Sequence, residues 1–374
     1  MTLCIGDCYT FKNLTESNEY SNWETICVCY VFPVIMSVGV ITNISFMFVS
    51  YRISYLHTAV NNFLINLSIA DIIFLLIAVG EKLNSYYELD VNIHSGKKTF
   101  LGCTVTSILK NSSSFTAQIL VTLIALERYR VICYPIRAYT IHSRVRVRRQ
   151  NFGSWVIAVL LSASMSPAVG KEESYCGVWP VKDGEFVVID ICGSVNKGFV
   201  IYYEFIQTVP FFIAWTITSI THILIVIGLK KSNSDSRLHP KGSKALTRAG
   251  NQITAMLLIN GVTFFLLLAP FQITSLMAMI KHTIGDYNSD DPSENHTFLN
   301  IGRLLLYMNA AINPIIYVIV NQRYRNAYVL VFWRCRRQDD DEIAGGRPHS
   351  RQDVNCTFLN MKDGFNRQQF DTYL

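Results

Sequence analysis

Charge is scarce in this chain and unevenly placed. Asp, Glu, Lys and Arg make up 16% of the residues against 50% hydrophobic. They bunch at the ends of apolar runs, the distribution of a polytopic membrane protein, and this excludes an ordinary water-soluble fold. The ten cysteines show no metal-ligand spacing, which argues against a zinc module. No nucleophile and base pair, phosphate-binding loop or metal cluster stands in the required context, so an enzyme is not expected. No segment has a second copy, which counts against a transporter, whose folds commonly show internal repeats. Buried charges such as Asp71, Glu81 and Lys110 would be that reading's transport path. The excess of Lys and Arg does not imply nucleic acid, because these residues fall in short loops between apolar runs, where they set orientation. Met1-Thr2-Leu3-Cys4 opens no basic region followed by a short apolar stretch, so no cleavable signal peptide is expected, and the first apolar run would do the targeting.

What the chain does have is apolar length. Seven runs suffice to cross roughly 30 Å of hydrocarbon: about Ile26 to Ile53, Val60 to Leu83, Phe100 to Ile132, Phe152 to Gly170, Phe199 to Leu229, Ile253 to Ile280 and Phe298 to Val320. An odd number of spans puts the termini on opposite sides. The loops with Arg137, Arg144 and Arg146, then Lys230 and Lys231, then the tail with Arg336 and Arg337 are basic and face the cytoplasm. Alternate loops, with Glu172 and Asp183 or with Asp286 and Asp290, face outside together with the amino terminus. Four regions follow: 1–25 extracellular, 26–320 a membrane bundle, 321–335 an amphipathic surface helix, and 336–374 a polar, disordered cytoplasmic tail. Asn13-Leu14-Thr15 is a glycosylation sequon in the first region, on Asn13.

Several residues inside the runs carry more than length. Asp71 lies deep in the second, where an ionisable group costs several kcal/mol unless it meets a partner or water. The third run ends in Glu127-Arg128-Tyr129 at a membrane face. Alone, such an Arg reads as an anchor snorkelling to the interface. Pro210, Pro270 and Pro314 can each bend a helix by removing a backbone hydrogen bond.

Asp71 closing Asn66-Leu67-Ser68-Ile69-Ala70, Glu127-Arg128-Tyr129 followed by Tyr134-Pro135-Ile136, and Asn309-Ala310-Ala311-Ile312-Asn313-Pro314-Ile315-Ile316-Tyr317 occur in one chain in this order. Together they resemble the motifs of rhodopsin-like (class A) G-protein-coupled receptors, from roughly Val38 to Cys335, and Trp155 and Pro167 fit the same pattern. The resemblance implies an all-α membrane fold, a seven-transmembrane bundle with an amphipathic eighth helix and an extracellular β-hairpin. It further implies a plasma-membrane protein that passes ligand binding to a heterotrimeric G protein, and to arrestin. Glu127, Arg128, Tyr129, Pro270, Asn313, Pro314 and Tyr317 are its expected switch residues. No cofactor is expected beyond a modulating sodium ion at Asp71, with Ser113, Asn309 and Asn313. Ala117, where the family often has Ser, weakens that site. Other departures are Leu268 for a Trp, Thr218 for a Tyr, and Gly250, which supplies no acid for Arg128 and leaves Glu127 as its expected partner.

Lys110 stands where amine receptors of this family have Asp, which argues against a biogenic amine, since two cations would meet uncompensated. Glu81 and Arg303 should lie at a similar depth. With Phe271, Gln272 and Tyr307 they form the expected ligand site, in which Lys110 and Glu81 could equally be an interhelical salt bridge. Two β-rich runs flank Lys182-Asp183-Gly184, a strong hairpin signal. Such a hairpin over the pocket resembles peptide-binding members. Cys176 ahead of Trp179-Pro180 is similar to tachykinin- and neuropeptide-like receptors and favours a Cys103–Cys176 disulfide, with Cys192 as competitor. A peptide ligand is thus expected, with a lipid or small carboxylate as the alternative, because Lys110 and Arg303 could grip a carboxylate. In the eighth helix Tyr324, Tyr328, Val331 and Phe332 should form one face and Arg323, Arg325 and Arg334 the other. Cys335 is a palmitoylation candidate. Thr372 and Leu374 end the chain in the pattern of a PDZ-domain ligand.

Overall fold

Each apolar run becomes helix. The computed structural model describes residues 22–90, 99–134, 143–178, 186–235, 243–284 and 292–343. Helix α1 is assembled from Asn22–Ile26, a π-helical turn Cys27–Val31, and Phe32–Arg52. Then come α2 (Ala59–Asp90), α3 (Phe100–Cys133), α4 (Ser143–Ser164), strands β1 (Lys171–Val178) and β2 (Phe186–Gly193), α5 (Lys197–Asp235), α6 (Ser243–Ile284), α7 (Pro292–Val320) and α8 (Gln322–Ile343). The fourth span departs most from expectation. It starts earlier, in the arginine-rich turn at Ser143, and stops at Ser164, short of Gly170. Pro167 is the cause, lying in a separate 3-10 turn, Ser166–Ala168, because its ring cannot continue an α-helix.

Among the described residues five helices are apolar and long enough to cross a membrane: Trp23–Arg52, Ala59–Tyr87, Lys197–Lys230, Gly250–Ile284 and Phe298–Val320. α3 is more polar for a structural reason. It packs against α2, α4, α5 and α6, and its Asn111, Ser112, Ser113 and Gln118 are buried there, so these groups face protein and not lipid. The lipid-facing surface shows best on α5, where Ile213, Ile217, Ile220, Leu224 and Ile227 are exposed. Their spacing of three and four makes a single stripe. In water such a face would drive aggregation; in a bilayer it is solvated. The chain is a multi-pass membrane protein.

The three prolines lie inside α5, α6 and α7, and one of them explains a buried asparagine. Pro314 has no N–H to offer the carbonyl of Ala310 one turn back. Asn43 of α1 supplies the donor, its Nδ2 lying 3.0 Å from Ala310 O. Thr42 Oγ1 donates to Ala311 O at 3.2 Å. This approach of α1 to α7 needs Gly39, where an added Cβ would lie 2.4 Å from Leu75 Cδ1 and 3.0 Å from Ala311 Cβ.

β1 and β2 pair antiparallel from Lys171↔Gly193 to Val178↔Phe186. The Lys182-Asp183-Gly184 turn lies outside the described residues, as does the side chain of Cys176. The expected disulfide is corrected: Cys103 bonds Cys192, with Cα atoms 5.8 Å apart. The register gives the reason. Cys192 opposes Glu172 at the base of the hairpin, beside its junctions with α4 and α5, whereas Cys176 opposes Val188 further towards the turn.

α8 begins where an amphipathic helix was expected and runs beyond Arg334 to Ile343. Tyr324 is buried against Phe46 and Tyr317, with ring centroids 5.8 and 6.0 Å away. Its hydroxyl donates to Asn61 Oδ1 of α2 at 3.2 Å. Burial pushes its pKa up to about 12, so the hydroxyl keeps its proton and remains a donor at any physiological pH. Arg323, expected on the solvent face, instead lies over the Tyr55 ring at 5.4 Å. Its Nη2 donates to Tyr55 O at 3.0 Å, and Tyr55 OH donates back to Arg323 O at 3.2 Å. α8 is thereby fixed to the α1–α2 turn.

Candidate functional site: a charged cavity and a buried arginine

Lys110, Glu81, Arg303, Phe271, Gln272 and Tyr307, scattered over α2, α3, α6 and α7, all line one cavity of about 640 Å³. It lies at the end of the bundle that carries the hairpin, within the size range of ligand sites. Lys110 Nζ and Glu81 Oε2 are 2.5 Å apart, the pairing that the sequence offered as an interhelical bridge. Arg303 is oriented from behind. Its Nη1 donates to Asn300 Oδ1 at 3.0 Å, and Asn300 Nδ2 donates in turn to Glu24 Oε1 of α1. Tyr307 spends its hydroxyl on the Ala78 carbonyl at 3.5 Å and packs edge-on to Phe32, centroids 5.0 Å apart. Gly302 lets α7 approach α6 here, since a Cβ at that position would lie 3.1 Å from Phe271 Cα.

Two buried amide oxygens, Gln118 Oε1 and Gln272 Oε1, have no hydrogen-bond partner among the described residues. Both glutamines line the cavity. A buried acceptor left without a donor costs about 1–3 kcal/mol, so this wall is prepared for N–H or O–H groups that enter it. Sequence reasoning missed Gln118, and it also missed Lys82, Glu204 and His282, which line the same cavity. Glu204 was visible as an ionisable residue in an apolar span, the signal that singled out Asp71. His282, in the last turn of α6, carries no such signal.

Towards the middle of the bundle, Asp71 is buried, and its Oδ2 accepts a 2.7 Å hydrogen bond from Asn313 Nδ2. Asn313 therefore meets the acid as a donor, not as an oxygen ligand. Asn309 Oδ1 is buried without a partner among the described residues, an orphan acceptor suited to a cation. Ser113 gives its hydroxyl proton to carbonyls of its own helix, 2.8 Å from Leu109 O and Lys110 O, which leaves its oxygen lone pairs available. Asp71, Asn309 and Ser113 offer the hard oxygen donors that sodium requires, one fewer residue than expected.

At the other end, Arg128 is buried, and its Nε and Nη2 have no partner among the described residues. The expected Glu127–Arg128 pairing is not made. Glu127 Oε1 instead accepts from Arg146 Nη2 of α4 at 2.5 Å, and Oε2 lies 3.6 Å from Arg130 Nη1. Adjacent residues on a helix point in different directions, so Glu127 faces α4 while Arg128 does not. No acid approaches from α6 either. Gly250 has open space around it, with nothing within 4 Å of an added Cβ. Thr218 on α5, where the family often has a tyrosine, donates a 3.3 Å hydrogen bond to Thr122 of α3.

A membrane bundle with a polar cavity at one end, a buried arginine without an ion-pair partner among the described residues at the other and a buried acid between them is laid out as a transmembrane receptor. The chain belongs to the 7 transmembrane receptor (rhodopsin family), which matches residues 42–317. It is a G-protein-coupled receptor and not an enzyme. It is 23% identical to the neuromedin U receptor homolog nmur-2 of Caenorhabditis elegans, over 91% of this chain and 88% of that one. Neuromedin-U receptor 1 of Rattus norvegicus is 25% identical over 80% of this chain and 72% of its own length. The thyrotropin-releasing hormone receptor of Gallus gallus is 24% identical over 84% and 81%.

Proposed function

We propose that this receptor is activated by an extracellular peptide bound in the cavity between α2, α3, α5, α6 and α7. The observation that carries the reading is the cavity wall itself, in which the cations of Lys82, Lys110 and Arg303 stand beside the unpartnered amide acceptors of Gln118 and Gln272. A peptide brings both complements, a carboxylate or other anion and a row of N–H donors. The relatives named for neuromedin U and thyrotropin-releasing hormone support a peptide over a lipid. In this reading the amino terminus and hairpin face outside at the plasma membrane, and Asn13 is glycosylated. Ligand binding shifts the bundle towards an arrangement in which α5 and α6 part at the cytoplasmic end and a heterotrimeric G protein contacts Arg128.

Asp71, Asn309 and Ser113 would hold sodium, which supplies the counter-charge of a buried carboxylate and favours the arrangement without agonist. Arrestin would dock at the same face. Cys335 would carry a palmitoyl chain into the membrane lipids, and the tail would present Thr372 and Leu374 to a PDZ domain as an added strand. A peptide pull-down checks the last point: Thr372→Ala, or one Ala appended after Leu374, should abolish PDZ capture.

The ligand reading is tested by applying matched peptide and lipid libraries to cells expressing the receptor and recording G-protein activation. Peptide agonists should emerge, and Lys110→Ala or Arg303→Ala should cut their potency about tenfold or more, roughly 1.4 kcal/mol. Activation by lipid acids alone would replace the peptide with a small carboxylate.

A further inference from the structure

The cavity has a second charged pole that the ligand reading has not used. On the α5–α6 wall Glu204 Oε2 lies 3.0 Å from His282 Nδ1, and both residues line the cavity. The Glu204 side chain is 13% exposed and that of His282 33%, so the carboxylate is set back behind an imidazole that solvent or ligand can reach. The charge balance makes this carboxylate singular. Glu81 and Glu204 are the acids lining the cavity, against Lys82, Lys110, Lys281 and Arg303. Glu81 is already matched by Lys110 at 2.5 Å. Among the described residues Glu204 has only an imidazole in direct ion-pair contact, a partner charged solely when protonated.

A carboxylate left largely desolvated gains most from a permanent cation. Lys281 adjoins His282 in the chain and also lines the cavity, so a ligand cation must compete with its field as well as with the imidazole. The reward is a two-point grip. The α2–α3–α7 side carries Lys82, Lys110 and Arg303 against Glu81 alone, while the α5–α6 side carries the carboxylate of Glu204 beside His282 and Lys281. A ligand carrying charge of one sign meets repulsion at one of these poles, and a ligand with an anion and a cation spaced across the cavity meets attraction at both.

We propose that Glu204 is a ligand subsite for an ammonium or guanidinium group, held by His282 until the ligand arrives, so that this receptor selects peptides bearing a carboxylate and a basic group at a fixed separation. The inference rests on the peptide reading above and narrows it. The site bridges α5 and α6, so a ligand cation that takes Glu204 from His282 also removes a tie between these two helices.

The test uses the full-length receptor in cells and a synthetic library of hexapeptide acids in which Lys and Arg are present or replaced by norleucine and citrulline. Wild-type agonists should share one basic residue at a constant spacing from the carboxylate. Glu204→Gln should lower the potency of those peptides about tenfold or more while changing their neutral analogues by less than about threefold, and the double-mutant cycle should show the coupling. His282→Ala should preserve or raise potency, because it frees the carboxylate. Two results overturn the proposal while leaving the peptide reading in place. If Glu204→Gln and His282→Ala weaken basic and neutral peptides alike, the pair is only an interhelical tie and the peptide reading stands without this subsite. If agonists lack a basic residue and ignore Glu204→Gln, the cation requirement is wrong. A library without any agonist, in a receptor that responds to lipid acids, removes the peptide reading itself.

Discussion

Single side chains in this bundle are set by backbone needs elsewhere. Asn43 is buried in α1 because Pro314 strips the Ala310 carbonyl of its donor, and Asn43 Nδ2 restores it at 3.0 Å. Asn43→Leu should leave that carbonyl unsatisfied in a region without water, at a cost of about 1–3 kcal/mol, read as a lower thermal midpoint of the purified receptor in lipid nanodiscs. An unchanged midpoint would mean that the carbonyl finds another donor. Asp71 offers a different check. Rising sodium should weaken agonist binding to wild type, and Asp71→Asn should abolish the effect; a wild type indifferent to sodium would leave Asp71 as only the acceptor of the Asn313 hydrogen bond. The residues legible in the sequence were lone ionisable groups in apolar runs, and so Lys110, Glu81, Arg303 and Asp71 stood out. Glu127 and Arg128 misled because neighbours in sequence do not face each other on a helix, and the true partner, Arg146, comes from another element.

At the scale of elements, helix existence was written in apolar length and helix ends were written in proline and charge. α4 stops at Ser164 because Pro167 follows. The hairpin was legible from its alternating runs, whereas the identity of the bridged cysteine depended on how deep each lies from the hairpin base, and strand propensity does not encode that. Cys192→Ser should free Cys103 to label with a thiol reagent, and Cys176→Ser should not; labelling of Cys103 in both would contradict the bridge to Cys192. Helix spacing rests on small residues in the same way. Gly302→Val should force α7 away from the Phe271 backbone, which already stands 3.1 Å from an added Cβ, and lower both agonist affinity and thermal stability. Retention of both would show that α6 yields without cost.

For the molecule as a whole, the cavity and Arg128 occupy opposite ends of one packed bundle, joined by a core in which Asp71, Asn313 and Tyr317 are buried. Its motifs made the architecture legible. The cavity's second pole was not, because Glu204 and His282 meet only when α5 and α6 pack together. The most direct test of transmission from cavity to Arg128 is agonist-stimulated nucleotide exchange on a G protein, with wild-type receptor and Arg128→Ala at matched surface expression and matched occupancy by the same peptide. Arg128→Ala should bind the peptide within about threefold of wild type and lose about tenfold or more of the stimulated exchange, within the range of allosteric couplings. Full exchange by Arg128→Ala at equal occupancy would contradict it.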